Sequence, residues 1–153
     1  MSDVVDVATR SRMMSGIRAK NTQPEVLVRK ALHRRGFRYR LHVKDLPGHP
    51  DMVFPKYRAV IFTHGCFWHG HTCPLFKVPQ TRRDFWVEKI EGNRQRDKRV
   101  LDALNQMGWR VLVIWECALR GKAARNRLDE TVGDIAEWLY HGQEFRLEIE
   151  GSR

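Results

Sequence analysis

Apolar and polar residues fall along this chain into stretches of helical period and stretches of strand period, punctuated by glycine and proline. Thr22-Gln-Pro-Glu25 reads as a capping box with proline in the first turn. It predicts a helix to about Arg35 that buries Val28, Ala31 and Leu32 and is stopped by Gly36. Phe37, Tyr39 and Leu41 alternate with Arg38, Arg40 and His42, the pattern of a half-buried strand. A turn over Leu46-Pro-Gly-His-Pro50 follows, and Pro50 pushes the chain into extended geometry. Asp51–Phe54 and Arg58–Thr63 then form a hairpin through Pro55-Lys56-Tyr57. From Arg82 to Met107, Trp86, Ile90, Val100, Leu101 and Leu104 keep near-helical spacing, interrupted at Gly92 and ended by Gly108. Trp109–Trp115 is the strongest strand signal, apolar enough to be central and covered on both faces. Strand, long helix and strand in succession predict a right-handed crossover. Leu128, Val132, Ile135 and Leu139 mark a last helix, after a basic loop holding Arg120, Lys122, Arg125 and Arg127. The tail from Gly142 is polar and takes no assignment.

Between Thr63 and Arg82 neither period holds. A structureless loop of that length inside a compact domain is uncommon unless it is functional or held by something else. Its first part, Thr63-His-Gly-Cys-Phe-Trp-His-Gly-His-Thr-Cys73, concentrates histidine and cysteine, and soft metal ligands are the candidate for the holding.

Composition narrows the partners. Lys and Arg total 28 against 18 Asp and Glu, a formal charge of +10, which favours polyanions and nucleic acid first. The competing reading is a merely soluble basic protein. With 153 residues, 42% of them hydrophobic, the chain fits one domain with a real core. It shows no membrane-spanning run and no signal-peptide h-region, so an intracellular protein is expected. Residues 1–20 carry Arg10, Arg12, Arg18 and Lys20 among Met13, Met14 and Ile17, and read as a basic arm or as a frayed terminus.

Three cysteines, an odd number, argue against a disulfide framework. With one histidine, Cys66, Cys73 and Cys117 make a four-ligand zinc site of the closed, structural kind. His71 and His69 compete for the fourth position, and buried apolar thiols are the plain alternative. A second constellation joins Asp51, opening one hairpin strand, to Phe62-Thr63-His64 at the end of its neighbour. A carboxylate beside backbone there suits a hard cation such as magnesium. Pro50-Asp51 resembles the first half of the Pro-Asp…Asp/Glu-x-Lys nuclease pattern, although Phe62-Thr63-His64 replaces the acidic-x-Lys half. An ordinary turn carboxylate would also explain it. Glu25 could reach the same place from the first helix, unless its capping role exhausts it. His64 and His69 have the range for proton transfer near neutrality. Phe67, Trp68 and Trp86 in a basic setting can wedge between bases, whereas Trp109, Trp115 and Trp138 fit core packing.

Phe62-Thr-His-Gly-Cys-Phe-Trp-His69, His71, Cys73, Leu75-Phe-Lys-Val-Pro79, Phe85-Trp86 and Trp115-Glu-Cys-Ala-Leu-Arg-Gly121 together resemble the very short patch repair endonuclease (Vsr) family. The resemblance runs from Ala8-Thr-Arg-Ser11 and Met14 to about Gly121, and the last helix matches only in character. It implies an α/β, restriction-endonuclease-like fold of the PD-(D/E)xK type, with a central mixed sheet flanked by helices and a structural zinc site. It divides the chain into a DNA-contacting arm, 1–20, and one endonuclease domain, 21–153. The implied activity is magnesium-dependent nicking of double-stranded DNA at a T:G mismatch left by 5-methylcytosine deamination, 5′ of the mismatched thymine. Asp51 matches the magnesium-ligating aspartate, with the Thr63 main-chain oxygen. Glu25 and His64 match groups that hold waters around the ion, and His69 the histidine that activates the attacking water. Cys66, His71, Cys73 and Cys117 match the zinc ligands. Phe67, Trp68 and Trp86 match an aromatic wedge, Met14 an arm residue entering from the opposite side, and Lys89 and Asn93 the contacts near the mismatch. The family further implies a bacterial cytoplasmic monomer, with mismatch-repair proteins and a repair polymerase acting afterwards. Gly70 and Thr72 depart from the family's more histidine-rich loop, which bears on loop stiffness and DNA context. Two other readings compete: a zinc-stapled DNA-binding module without catalysis, and a less mismatch-specific nuclease of the same fold.

Overall fold

A computed structural model describes residues 22–151, so the expected arm, including Met14, lies outside the described residues. Its elements are α1 (Gln23–Arg34), β1 (Arg40–Leu41), β2 (Met52–Phe54), β3 (Ala59–His64), α2 (Arg83–Gln106), β4 (Arg110–Trp115), α3 (Lys122–Asn126), α4 (Leu128–His141) and β5 (Arg146–Ile149). The five strands form one mixed sheet in the order β1-β2-β3-β4-β5. β1, β2 and β3 are antiparallel neighbours, whereas β3, β4 and β5 run parallel, so α2 and α4 each lie in a crossover.

Period-two alternation assigns the strand residues to two cores. Met52, Phe54, Ile61, Leu112 and Ile114 face α1 and α4, where Val28, Leu32, Ile135 and Leu139 close the layer. Val53, Val60, Phe62, Val111 and Val113 face the other way, onto Leu104 with Val100 and Leu101 of α2 and onto Cys66 of the long loop. Two helices thus cover one face of the sheet, and one helix with a loop covers the other. Trp115 and Trp138 are buried, and Trp109 packs against the second core, as expected of core tryptophans.

The capping box begins α1: the Thr22 side chain accepts the Glu25 N–H at 3.4 Å, and Glu25, Val28, Ala31 and Leu32 are buried. The hairpin turns through the predicted Pro55–Tyr57, with Arg58 in the left-handed region at φ 50°. α2 runs unbroken through Gly92, and Gly108, at φ 88°, ends it.

Two expectations need correction. The alternation from Phe37 to Leu41 gives only a two-residue strand: Phe37 and Tyr39 do pack inward, but Leu41 is exposed. The tail is not without structure, because Arg146–Ile149 pairs with Val111–Ile114 of β4 and packs Leu147 and Ile149 against the first core. Among the described residues, no helix is long and apolar enough to cross a membrane.

Candidate active site and metal cluster

Register sets the first site. Met52 pairs with Ile61, so the residue before β2 falls beside the last residues of β3. Asp51 Oδ2 accepts the Thr63 N–H at 2.7 Å and the Thr63 hydroxyl at 3.1 Å, while Oδ1 accepts from no described residue. In an extended strand the N–H and C=O of one residue point to the same side. The Thr63 carbonyl therefore opens toward Asp51 as well. Burial pushes the Asp51 carboxyl up to about 6; the Thr63 N–H opposes the rise and Glu25 adds to it.

Glu25, fully buried on α1, pairs with His42 Nε2 at 2.6 Å and accepts from Arg29 at 3.2 Å. Donor atoms of Glu25, His42 and Asp51 lie within 4.8 Å of one another. The Asp51 carboxylate opens on a cleft of about 710 Å³ that Thr63, His64, His69, Arg96 and Asp97 also line.

At the end of β3 the chain turns His64 under His69. Their rings stack face to face, with centroids 3.8 Å apart and planes 2° from parallel. His64 is buried, and burial, with His69 adding to it, holds it well below the usual histidine range. Its Nδ1 has no partner, the one such buried side-chain atom among the described residues. His69 instead has a carboxylate: its Nδ1 lies 2.6 Å from Asp97 Oδ2 on α2. Stacked rings cannot both aim in-plane lone pairs at one ion. His64, His69 and Asp97, although within ligand distance of one another, are better placed to move a proton than to share a metal.

The second site gathers the thiols. Donor atoms of Cys66, His71, Cys73 and Cys117 lie within 4.8 Å of one another, and His69 is not among them. Cys117 comes from the turn after β4, so this cluster ties the loop to the sheet. Cys117 Sγ is 3.6 Å from His71 Nδ1 and accepts the Gly151 N–H at 3.3 Å. His71 Nε2 faces Glu150 at 3.7 Å, and its ring stacks on Trp115 at 4.2 Å. Burial raises the Cys66 thiol, and the neighbouring thiols add to the rise. Four soft donors packed this closely fit a single metal ion, which would hold the thiols ionised.

Phe67, Trp68 and Trp86 form one cluster, with ring centroids 5.2 to 6.0 Å apart. Asn93 is turned inward and donates to the Trp68 carbonyl at 2.8 Å, whereas Lys89 is exposed on α2. Residues that sequence reasoning passed over are His42, Asp97, Glu150 and Phe76, the last packing on Phe67 at 6.1 Å. Asp97 sits in a charge-rich helix and looks solvated in sequence; no local signal separates it from its neighbours.

A family model described as DNA mismatch endonuclease Vsr matches residues 2–75. The DNA mismatch endonuclease Vsr of Escherichia coli K12 is 49% identical over 140 residues, 91% of this chain and 88% of its own. The type II nicking enzyme V.XorIIP of Xanthomonas oryzae pv. oryzae is 51% identical over 134 residues, 84% and 98% of the two chains. The type II nicking enzyme V.NmeAIP of Neisseria meningitidis serogroup A is 46% identical over 138 residues, 90% and 99%. This chain belongs to the Vsr family. It is therefore an endonuclease whose substrate is DNA. Among the described residues, the cluster of Cys66, His71, Cys73 and Cys117 offers a site for one metal ion.

Proposed function

We propose that the protein is a magnesium-dependent endonuclease of very short patch repair. It nicks one strand of duplex DNA 5′ of the thymine in a T:G mismatch left by deamination of 5-methylcytosine. The observation that carries this reading is the meeting of Asp51 with the Thr63 main chain at the end of the central strands, beside His69 and Asp97. The names of its relatives, a mismatch endonuclease and nicking enzymes, support a single-strand cut.

Asp51 Oδ1 and the Thr63 carbonyl are the groups that would hold magnesium, a hard cation that keeps several of its waters. The free Oδ1, the orphaned His64 Nδ1 and the cleft volume fit a hydrated ion. Bound there, magnesium would supply Lewis-acid stabilisation of charge on the scissile phosphate and the leaving oxygen. His69 takes the proton of the attacking water at Nε2, because Nδ1 is engaged by Asp97. Asp97 fixes the tautomer and stabilises the imidazolium as it forms. Glu25 and His64 would hold waters around the ion when it is bound. Phe67, Trp68 and Trp86 open the stack at the mispair, where unpairing costs least, with Lys89 and Asn93 nearby and Met14 entering from the arm.

The fold reading is restriction-endonuclease-like, with Thr63-His64 standing where related nucleases carry acidic-x-Lys. Zinc is the ion we assign to Cys66, His71, Cys73 and Cys117. Tetrahedral bonds of about 2.3 Å to sulfur and about 2.0 Å to nitrogen separate two donors by about 3.5 Å. The 3.6 Å between Cys117 Sγ and His71 Nδ1 agrees. Residues 1–20 act as the DNA-contacting arm of a monomeric cytoplasmic enzyme whose single domain is 21–153. Repair proteins and a polymerase would follow the cut.

The test is magnesium-dependent nicking of T:G and fully paired duplexes by the parent protein and Asp51→Ala. The parent should cut the mismatch and spare the control, and Asp51→Ala should bind DNA but lose cutting by roughly a thousandfold or more. Retained cutting in Asp51→Ala would refute the metal assignment, and equal cutting of both duplexes would favour a general nuclease.

A further inference from the structure

Three consecutive loop residues are fastened to one face of α2. Asn93 Nδ2 donates to the Trp68 carbonyl at 2.8 Å, and Asp97 Oδ2 lies 2.6 Å from His69 Nδ1. Arg94 donates through Nε and Nη2 to the Gly70 carbonyl, at 3.0 and 2.5 Å. Residues 93, 94 and 97 share a face of the helix by their spacing. Asp97 and Asn93 already have work in the reading above; Arg94 does not.

Arg94 and Gly70 are fitted to each other. Gly70 is buried at φ 64°, and a Cβ there would lie 2.3 Å from Arg94 Nε and 2.7 Å from Ile90 Cγ2. The guanidinium fills the space that a side chain at position 70 would need. It is also held in direction, 5.7 Å over the Phe76 ring and 3.4 Å from Glu91. A planar fork on one carbonyl fixes the orientation of that peptide as well as its distance. The carbonyl in question belongs to the residue directly after His69 and two after Trp68, in a segment with no helix or strand to hold it.

We propose that Arg94 is a positioning residue that locks the Gly70 peptide to α2, so that the aromatic cluster at Phe67-Trp68 and the base at His69 move as one body. Entry of the aromatics at a mispair then sets His69 on its water. Without the fork, α2 holds Trp68 through Asn93 and His69 through Asp97 but no longer holds the Gly70 peptide that follows them, and the aromatics shift without carrying the base. Arg94 acts through the Gly70 carbonyl and touches no reacting atom. This inference rests on the mismatch-nicking reading.

The experiment compares the parent with Arg94→Gln and Arg94→Lys. Single-turnover nicking at saturating protein, DNA affinity with its salt dependence, metal content and Tm are measured on T:G and paired duplexes. Arg94→Gln should lower the saturated nicking rate on T:G roughly ten- to a hundredfold, the size of effect that small misplacement of a catalytic group produces. Its Kd should stay within about threefold, with metal content and Tm unchanged, so that the loss falls on the chemical step alone. Arg94→Lys should recover part of the rate, since an ammonium can reach the carbonyl but not as a fork. An unchanged rate in Arg94→Gln would overturn the proposal. A weakened Kd with a salt slope smaller by about one would overturn it too, making Arg94 a phosphate contact. Loss of metal together with Tm in both variants would make it a staple of the thiol cluster instead. Failure of the parent itself to prefer T:G would sink the mismatch reading, while the rate defect of Arg94→Gln would still be read on the shared substrate.

Discussion

The two polar centres of this molecule share a loop and a tryptophan yet are built to opposite plans. Trp115 stacks on His71 of the thiol cluster and meets His64 of the cleft edge-on at 5.2 Å. On one side of it four soft donors close on one another, and the atoms behind them are filled by Gly151 and Glu150. On the other side a single carboxylate holds one oxygen against Thr63 and leaves the second to a cleft of about 710 Å³. A centre with no room left can only brace the chain, whereas a centre with an open position can admit substrate. The loop from Gly65 to Arg82 needs the brace because it has no helix or strand to hold the residues that face the cleft.

The contrast breaks most visibly at the closed centre. Cys117→Ser should lose the bound metal and lower Tm by on the order of 10 °C, since metal-binding free energy at such a centre becomes folding free energy. Metal analysis with a thermal melt of the purified protein decides it. A full complement of metal in the variant would show that the cluster closes without its fourth donor.

The gathering of the thiols was readable in the sequence, and the reason is chemical. Cys66, Cys73 and Cys117 have few other uses in a chain with an odd number of cysteines, and only the fourth ligand stayed open between His69 and His71. Asp51 was readable for a geometric reason, since a hairpin of known turn places its first residue beside the end of its partner. The Thr22 cap, the hairpin and β4 were legible because their signals are local. What escaped depends on distant pairing. β5 offers only Leu147 and Ile149 between charged residues, and becomes a strand because β4 has a free edge for it. His42 reads as the polar side of a strand until the turn of the chain brings it to Glu25. Asp97 is one charge among many on α2 until the loop folds His69 onto it.

The open centre is sharpened by removing its orienting charge and keeping its shape. Asp97→Asn leaves a side chain of the same size beside His69 Nδ1 but no carboxylate to stabilise the imidazolium. The single-turnover nicking rate should fall roughly ten- to a hundredfold while DNA affinity and metal content hold. An undiminished rate would reduce the His69–Asp97 contact to loop packing, and the cleft would lose its proton acceptor as described.

The smallest effect reports on how dry the cleft is. Burial holds Asp51 at about 6 in the cation-free protein, above its ordinary 3.8, despite the Thr63 N–H that favours its charge. A folded-state value above the unfolded one means that the native state binds this proton more tightly than the unfolded chain. Its contribution to stability is therefore fully present below the unfolded value of 3.8 and is lost as pH rises through about 6. Freed of divalent cation at the cleft, the parent should lose about 3 kcal/mol from this group over that window. Asp51→Asn has no such proton to lose, so thermal melts across the window should show a shallower decline than the parent's. Added magnesium should restore the parent above about pH 6 and do little below it, because ion and proton compete for the same carboxylate. Parallel curves for the two proteins, with no magnesium effect at either end, would mean that Asp51 is as well hydrated as a surface aspartate, and the cleft would lose its claim to the ion.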